Sequence, residues 1–307
     1  PGGTVLVMGG THPDEPAGYI GAVLLVEQAG VAKGRMIVIP QANHSGFTHT
    51  YPLEAHPSVF SIQTADGERW FRFGARGTNP VHQWPDPDIY THWPSGQRLS
   101  GDETRNLNRS YPGRPDGVLT ERVAYAIKSL IIAENVDITI DLHEAPLENA
   151  FINAVAAHER AMDVAVISTL NLAMQGINMV VEASPQGLRG LTHRELGDFT
   201  PTYALLMETP NPVQGRMRGR TDERLVLTGQ DKCYEAAARL GRTYVPVTDS
   251  GYPLSLRVGR HVAGVQELIN AFNEEKPDRE IHVFNIPTYA ALVEQGIGAF
   301  LRGRGSD

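Results

Sequence analysis

The sequence predicts an α/β fold in which a mixed, mostly parallel twisted sheet carries helices on both faces. Strand and helix patterns alternate from the start of the chain to about residue 210, and a strand, a helix and a second strand fit within the first 40 residues. No linker-like stretch or internal repeat interrupts this alternation. Beyond residue 210 the pattern is helical. We therefore expect one domain over 1–307 with a helical C-terminal flank.

The first unit is the clearest part of the pattern. Thr4–Met8 is an apolar, β-branched run typical of a buried strand, and Gly9-Gly10 ends it. Pro16 is suited to the first turn of a helix, which we expect to continue to about residue 26. The next apolar run, 35–40, predicts a second buried strand.

The remaining elements follow the same two periodicities. Further strands are expected at 136–142, 151–156, 178–181 and 203–207. Further helices are expected at 119–132, 158–174, 222–240, 257–273 and 288–301, the first of them with Thr120 as its N-cap.

An irregular segment at about 47–104 interrupts the regular pattern. It is rich in Pro, Gly, His and aromatic residues, and it contains all three tryptophans of the chain. That aromatic content indicates an ordered insertion. Two interpretations stay open, a wall or lid over the functional site and a packed excursion far from it.

Composition excludes several classes of function. The formal net charge of -8 and the pI of about 5.8 argue against nucleic acid or an anionic membrane as the main partner, and no apolar run approaches the length of a membrane span. Cys233 is the only cysteine, so a metal would need His and carboxylate ligands. The chain opens at Pro1 without an initiator methionine. We expect a truncated N-terminus, which leaves a cytoplasmic and an exported protein both open; the oligomeric state is also open.

Candidate metal ligands lie at the ends of two predicted strands. His12 and Glu15 occupy the turn between the first strand and its helix, and His143 follows the strand at 136–142. The carboxyl ends of parallel strands share one edge of a sheet, so these side chains can meet. Two histidines and one carboxylate leave the fourth zinc position open, as in catalytic sites. Asp141 either orients a ligand or serves as a cap or ion-pair partner.

Other polar residues gather near the same edge. Glu208 lies where the strand at 203–207 meets a Pro-rich loop, and a partly desolvated glutamate there suits proton transfer. Arg105, Asn108 and Arg109 supply cationic and amide groups that suit an anionic substrate group, although solvated arginines are the default interpretation. The segment 192–195 is a further candidate for the wall of a pocket.

Four motifs in this order resemble the zinc carboxypeptidase superfamily, and more closely its succinylglutamate desuccinylase/aspartoacylase branch. They are His12-Pro-Asp-Glu15 after Gly9-Gly10, the run Asn-Leu-Asn-Arg-Ser-Tyr-Pro-Gly at 106–113, Asp141-Leu-His143 and Met207-Glu208-Thr. The resemblance extends over residues 1 to about 210.

The resemblance implies one Zn²⁺ per chain, held by His12, Glu15 and His143, with Glu208 as general base and acid. It further implies hydrolysis of the amide bond of a small N-acyl amino acid, or of a related compound that carries a carboxylate. A metallocarboxypeptidase acting on peptides and a catalytically silent metal-binding or ligand-binding homologue are the alternatives.

For substrate binding the resemblance implies Asn108 and Arg109. The sequence departs from the family pattern at Asn106, where the family has aspartate. The arginine that polarises the scissile carbonyl has no secure counterpart. Arg105 and Arg98 are the candidates, and we favour Arg105.

Overall fold

A six-stranded mixed sheet lies at the centre of the computed structural model, which describes residues 2–51 and 56–303. In chain order the strands of the described residues are β1 (Thr4–Met8), β2 (Gly30–Lys33), β3 (Arg35–Ile39), β4 (Val59–Thr64), β5 (Gly67–Arg72), β6 (Ile89–Thr91), β7 (Arg98–Ser100), β8 (Ile138–Ala145), β9 (Ala154–Ala157), β10 (Val180–Ala183), β11 (Tyr203–Pro210) and β12 (His282–Phe284). The α-helices are α1 (Pro16–Gln28), α2 (Leu119–Ala133), α3 (Met162–Met174), α4 (Thr192–Phe199), α5 (Glu223–Thr228), α6 (Lys232–Arg239), α7 (Leu254–Glu275) and α8 (Tyr289–Gln295).

The central sheet has the strand order β10-β9-β11-β8-β1-β3. Strand β1 pairs in parallel with β3 and β8, and β11 pairs in parallel with β8. Strand β9 runs antiparallel to β11, and β10 is parallel to β9. The carboxyl ends of β1, β8 and β11 therefore meet at one edge. The predicted mixed, mostly parallel sheet is confirmed.

Alternating side chains of the strands bury the two faces of the sheet under different helices. Val5 and Val7 belong to one apolar cluster with α3 and α7. Leu6 and Met8 point to the opposite face and pack with α2 and α4. Helices on both faces are thereby confirmed, as is the helical C-terminal flank formed by α5 to α8.

Two strands are longer than the sequence predicted. Strand β8 was expected at 136–142 and β11 at 203–207, yet their parallel pairing continues to the pair Ala145–Pro210. His143 and Glu208, which were expected just beyond the ends of these strands, are therefore paired residues within the sheet, and the backbone pairing fixes the direction of their side chains. Thr120 is helical and Val118 precedes the first turn of α2, so the predicted N-cap was two residues too late.

The C-terminal half also departs from the prediction in places. The helix expected at 222–240 is divided into α5 and α6 because Gly229 adopts φ +62° and ends the first, while Asp231 caps the second. The pairing of β12 with β2 and the short helix α4 were not predicted, since each is too short to present a periodic pattern.

The segment at 47–104 contains the antiparallel hairpins β4–β5 and β6–β7. Its tryptophans Trp70, Trp84 and Trp93 are exposed rather than packed. Its residue Arg76 nevertheless reaches the predicted site.

The assignment of 1–307 to one domain stays a prediction. In the described ranges, every helix is too short or too polar to cross a bilayer.

Candidate metal centre and cavity

The three predicted metal ligands lie together. The Nδ1 atom of His12 is 2.8 Å from Oε1 of Glu15, and the Nδ1 atom of His143 is 2.9 Å from Oε2 of the same carboxylate. The two imidazole Nδ1 atoms are 3.1 Å apart. All three side chains are buried, at 1%, 2% and 0% exposure. One ligand atom from each lies within 4.8 Å of the others, a separation that suits a shared metal ion.

Local backbone geometry brings Glu15 to His143. The turn closes through a hydrogen bond from the Glu15 amide to the His12 carbonyl, 3.1 Å long. Gly18 lets α1 approach β8 closely, since a Cβ atom there would lie 2.3 Å from the carbonyl oxygen of Leu142. The backbone amide of Glu144 then donates to Oε2 of Glu15 at 3.0 Å. The first turn of α1 is thus fixed against the strand that carries His143.

Each histidine has an acceptor for its other ring nitrogen. His143 donates from Nε2 to Oδ2 of Asp141 at 2.8 Å, and Thr11 donates to the second oxygen of that carboxylate. His12 donates from Nε2 to Oδ1 of Asn106 at 2.9 Å. These bonds leave both Nδ1 lone pairs facing each other, an arrangement that a shared cation satisfies. The donor set fits a divalent metal.

The departure at Asn106 is explained by the same contact. An asparagine still offers a side-chain oxygen to His12, and its amide nitrogen donates to Glu103 at 2.7 Å. Asn106 therefore supplies the one acceptor atom that His12 needs.

Asp141→Asn is expected to lower metal affinity by about 10- to 100-fold, because a neutral amide polarises the His143 imidazole less than a carboxylate does. Competition with a chromogenic chelator measures the affinity, and Asp116→Asn on the exposed surface is the control. Unchanged affinity would mean that Asp141 only supports the local fold.

Glu208 lines the same cavity as His12 and Glu15. It lies on β11 directly opposite His143 on β8. Its Oε2 atom is buried and has no hydrogen-bond partner in the described residues. Burial, aided by the charge of Glu15, holds the pKa of the Glu208 carboxyl well above its usual value. The cavity has a volume of about 420 Å³.

Asn108 and Arg109 also line this cavity. The Asn108 side-chain oxygen accepts hydrogen bonds from the amide and the hydroxyl of Thr192, at 2.8 and 3.0 Å. The Asn108 amide nitrogen is therefore the group left for a ligand. The Arg109 guanidinium donates to the Asn108 carbonyl, and no ion pair joins it to a carboxylate of the described chain. Both residues line the cavity, and their role in binding a substrate stays a prediction.

Arg105 is not among the residues that line the cavity, and its assignment to the scissile carbonyl stays a prediction. Its guanidinium makes a two-pronged ion pair with Asp86, with Nε–Oδ1 and Nη2–Oδ2 distances of 2.8 and 2.9 Å. Its charge is thus already balanced by a carboxylate of the insertion. Arg98, the second candidate, lies exposed on β7.

Arg76 is the arginine that reaches the ligands instead. Its Nη1 atom donates to Oε1 of Glu15 at 3.1 Å, and the residue lines the cavity. It lies in the irregular insertion, where no motif marks it. Gln214 donates to the same carboxylate oxygen at 2.8 Å. It also belongs to no motif, so the sequence did not indicate it.

His193 is a further wall residue. The segment 192–195, expected as a loop, opens α4, and His193 is buried with no hydrogen-bond partner for either ring nitrogen among the described residues. Burial lowers the pKa of this imidazole to about 3. His193 therefore presents a neutral ring to the cavity.

The insertion also fixes part of the cavity wall. Gln97 donates to the Gly187 carbonyl and accepts from the Arg189 amide, both at 2.8 Å, on either side of the wall residue Leu188. The Arg189 guanidinium pairs with the buried carboxylate of Glu195. The segment 187–189 is therefore held from two sides. Of the two interpretations of the insertion, the contacts of Arg76 and Gln97 favour a wall.

Gln97→Ala is expected to raise KM for the substrate about tenfold while leaving kcat within about twofold, because two hydrogen bonds to the wall segment are lost. Steady-state kinetics on the proposed substrates measure both constants. Gln63→Ala, on β4, is the matched control, because its side chain donates to the neighbouring Thr64 carbonyl. A fall in kcat with unchanged KM would contradict this role.

Residues 94–203 match a family model described as the succinylglutamate desuccinylase/aspartoacylase catalytic domain. A stretch of 64 residues is 36% identical to an N-alpha-acetyl-L-2,4-diaminobutyric acid deacetylase from Halomonas elongata, covering 21% of this chain and 18% of that protein.

The fold is similar to solved structures of the cell shape determinant protein Csd4 from Helicobacter pylori. A variant of that protein gives a TM-score of 0.52, and a tripeptide-bound form gives 0.51. In both comparisons the identity is 14%, and the match covers 94% of this chain and 54% of the other. The chain thus spans about half the length of these structures. The match over residues 94–203 confirms the predicted resemblance to the succinylglutamate desuccinylase/aspartoacylase branch, and the similar solved structures confirm the fold.

Proposed function

We propose that this chain is a zinc-dependent hydrolase that cleaves the amide bond of a small N-acyl amino acid. The observation that carries the proposal is the shared cavity. The buried cluster of His12, Glu15 and His143 lines or adjoins the space into which the unpartnered oxygen of Glu208 faces. Metal ligands and a candidate proton carrier are thus within reach of one substrate.

The three ligands would hold one Zn²⁺ per chain. Such an ion supplies Lewis acidity, which polarises a carbonyl group and lowers the pKa of water. Glu208 is suited to take a proton from the attacking water and to deliver it to the leaving amine. Burial raises the pKa of its carboxyl, which favours the protonated form that delivers a proton to the leaving amine.

Two arginines suit the two anionic groups of such a reaction. Arg76 lies beside Glu15 and is the candidate for stabilising negative charge that develops on the carbonyl oxygen. Arg109, which lacks a carboxylate partner in the described chain, is the candidate for binding the substrate carboxylate, with the Asn108 amide as a second donor.

The relatives support two substrate classes. The deacetylase from Halomonas elongata is named for an N-acetyl amino acid, which favours a deacylase. The second candidate is a metallocarboxypeptidase, since Asn108 and Arg109 suit the C-terminal carboxylate of a peptide equally well and a protein of similar fold binds a tripeptide.

The proposal is tested by assaying the zinc-loaded protein against N-acyl amino acids and N-blocked dipeptides, with a chelator-treated sample as control. We expect amine release from the N-acyl amino acids and its loss on chelation. Preferred release of C-terminal residues from the dipeptides would assign the carboxypeptidase activity. Full zinc occupancy with no turnover on either panel would indicate the catalytically silent homologue.

A further inference from the structure

The floor of the cavity extends beyond the metal ligands to the edge of the sheet. Glu182 on β10 is in register with Ala156 on β9, which pairs with Leu206 on β11, which pairs with Asp141 on β8. These four residues point to the same face, because the residue before each of them belongs to or packs against the cluster on the opposite face; these are Val181, Val155, Leu205 and Ile140. Glu182, Ala156 and Leu206 all line the cavity.

Strand spacing gives the dimensions of this floor. Adjacent strands lie about 4.8 Å apart, so β10 is about 10 Å from β11, which carries Glu208. The side chains along this part of the floor, Ala156 on β9 and Leu206 on β11, are apolar. A carboxylate therefore stands at one end of an apolar strip, and the reacting groups stand at the other.

The Glu182 carboxylate has no ion-pair partner in the part of the chain that the structure describes. A cation is close by, since Arg194 donates to the carbonyl of Ser184, two residues further along. That guanidinium instead pairs with Glu159 and Asp198, at 2.7 and 2.6 Å. The protein thus leaves Glu182 uncompensated beside an arginine that serves other carboxylates.

The other acids that line the cavity differ from Glu182. Glu15 lies against Arg76, and Glu144 pairs with the buried Arg257 at 2.6 Å. Among the cations, Arg109 is the one without a carboxylate among the described residues. Apart from Glu208, the proposed proton carrier, two charged side chains of the cavity therefore lack an oppositely charged partner among the described residues. They are the cation Arg109 and, at the edge of the sheet, the carboxylate of Glu182.

We propose that the substrate carries a primary amine that is bound by Glu182, on a strand about 10 Å from the strand of Glu208, in addition to the carboxylate bound at Arg109. This inference rests on the function proposed above and names its substrate class, the N-acylated amino acids with a cationic side chain. An acidic residue on an edge strand also discourages pairing with another chain, and that role alone would require no ligand.

Calorimetric titration tests the cation site without any turnover. The probes are 6-aminohexanoate and hexanoate, which share a carboxylate and differ by one amino group, so that carboxylate contacts cancel in the comparison. We expect the zinc-loaded protein to bind 6-aminohexanoate about three- to fivefold more tightly, in the range of a solvent-exposed ion pair. Glu182→Gln should abolish that difference, and Glu68→Gln, an exposed strand glutamate on β5, should retain it.

Two results would overturn the inference: equal affinity of the two probes for the unaltered protein, or a preference for 6-aminohexanoate that is as large in Glu182→Gln as in the unaltered protein. Glu182 would then serve only as a charge on an edge strand. The same variants are then compared on Nα-acetyl-L-lysine and Nα-acetyl-L-norleucine. We expect a three- to fivefold higher kcat/KM for the lysine compound, lost in Glu182→Gln. Absence of turnover on both would count against the proposed hydrolysis, whereas the binding comparison would still decide the cation site.

Discussion

Glu208→Gln is expected to lower kcat by about 10²- to 10⁴-fold while leaving the metal content unchanged. The amide is nearly isosteric with the carboxylate, so the wall of the cavity is preserved, yet it cannot accept a proton from water or pass one to a leaving amine. Glu208 is not one of the three clustered ligands, so metal binding does not depend on its charge. Steady-state kinetics and elemental analysis of the same preparation measure the two effects.

Glu274→Gln, on the exposed surface of α7, is the control for loss of one acidic group. It should match the unaltered protein in both measurements. A Glu208→Gln protein that turns over at the normal rate would show that another group carries the proton. Loss of metal together with loss of activity would instead indicate that Glu208 contributes to binding the ion.

The cluster of His12, Glu15 and His143 could be predicted from the sequence because its members follow a simple topological rule. His12 and Glu15 come directly after a buried strand, and His143 lies near the end of another. Parallel strands bring such positions to one edge regardless of the distance between them in the chain. Strand β1 does pair in parallel with β8, so the two ends meet.

The same reasoning does not find the arginine that lies beside Glu15. Arg105 directly precedes the run at 106–113, but the insertion supplies Asp86 as its ion-pair partner. The insertion also supplies Arg76 to Glu15. Both contacts join residues across an irregular segment of the chain, and hydrophobic periodicity carries no information about such pairings.

Glu182 was missed for a different reason. Its strand was expected, but its position depends on the order of β11, β9 and β10, with β9 antiparallel to β11. The strand pattern alone does not fix that order. In the observed order Glu182 shares one face with Leu206, and an ordinary edge glutamate becomes part of the cavity floor.

His143→Ala is expected to lower metal affinity by more than about 100-fold, because it removes one of three ligands, whereas changes to residues that only support a ligand cost about 10- to 100-fold. The rise in Tm that zinc produces in the unaltered protein should therefore be absent from His143→Ala. A ligand at 100 times its Kd stabilises the folded state by about 2.7 kcal/mol, and a variant whose Kd has risen past that concentration gains almost none of this free energy. Thermal unfolding at a fixed free zinc concentration measures the difference.

The matched control is His193→Ala, which removes another buried histidine from the wall of the same cavity. If metal binding follows from the geometry of the cluster, this variant should keep the zinc-dependent rise in Tm, because neither His193 ring nitrogen belongs to the clustered ligand atoms. Equal loss of the rise in both variants would mean that any disturbance of the cavity releases the ion. An undiminished rise in His143→Ala would place the metal elsewhere and remove the basis for hydrolysis at this site.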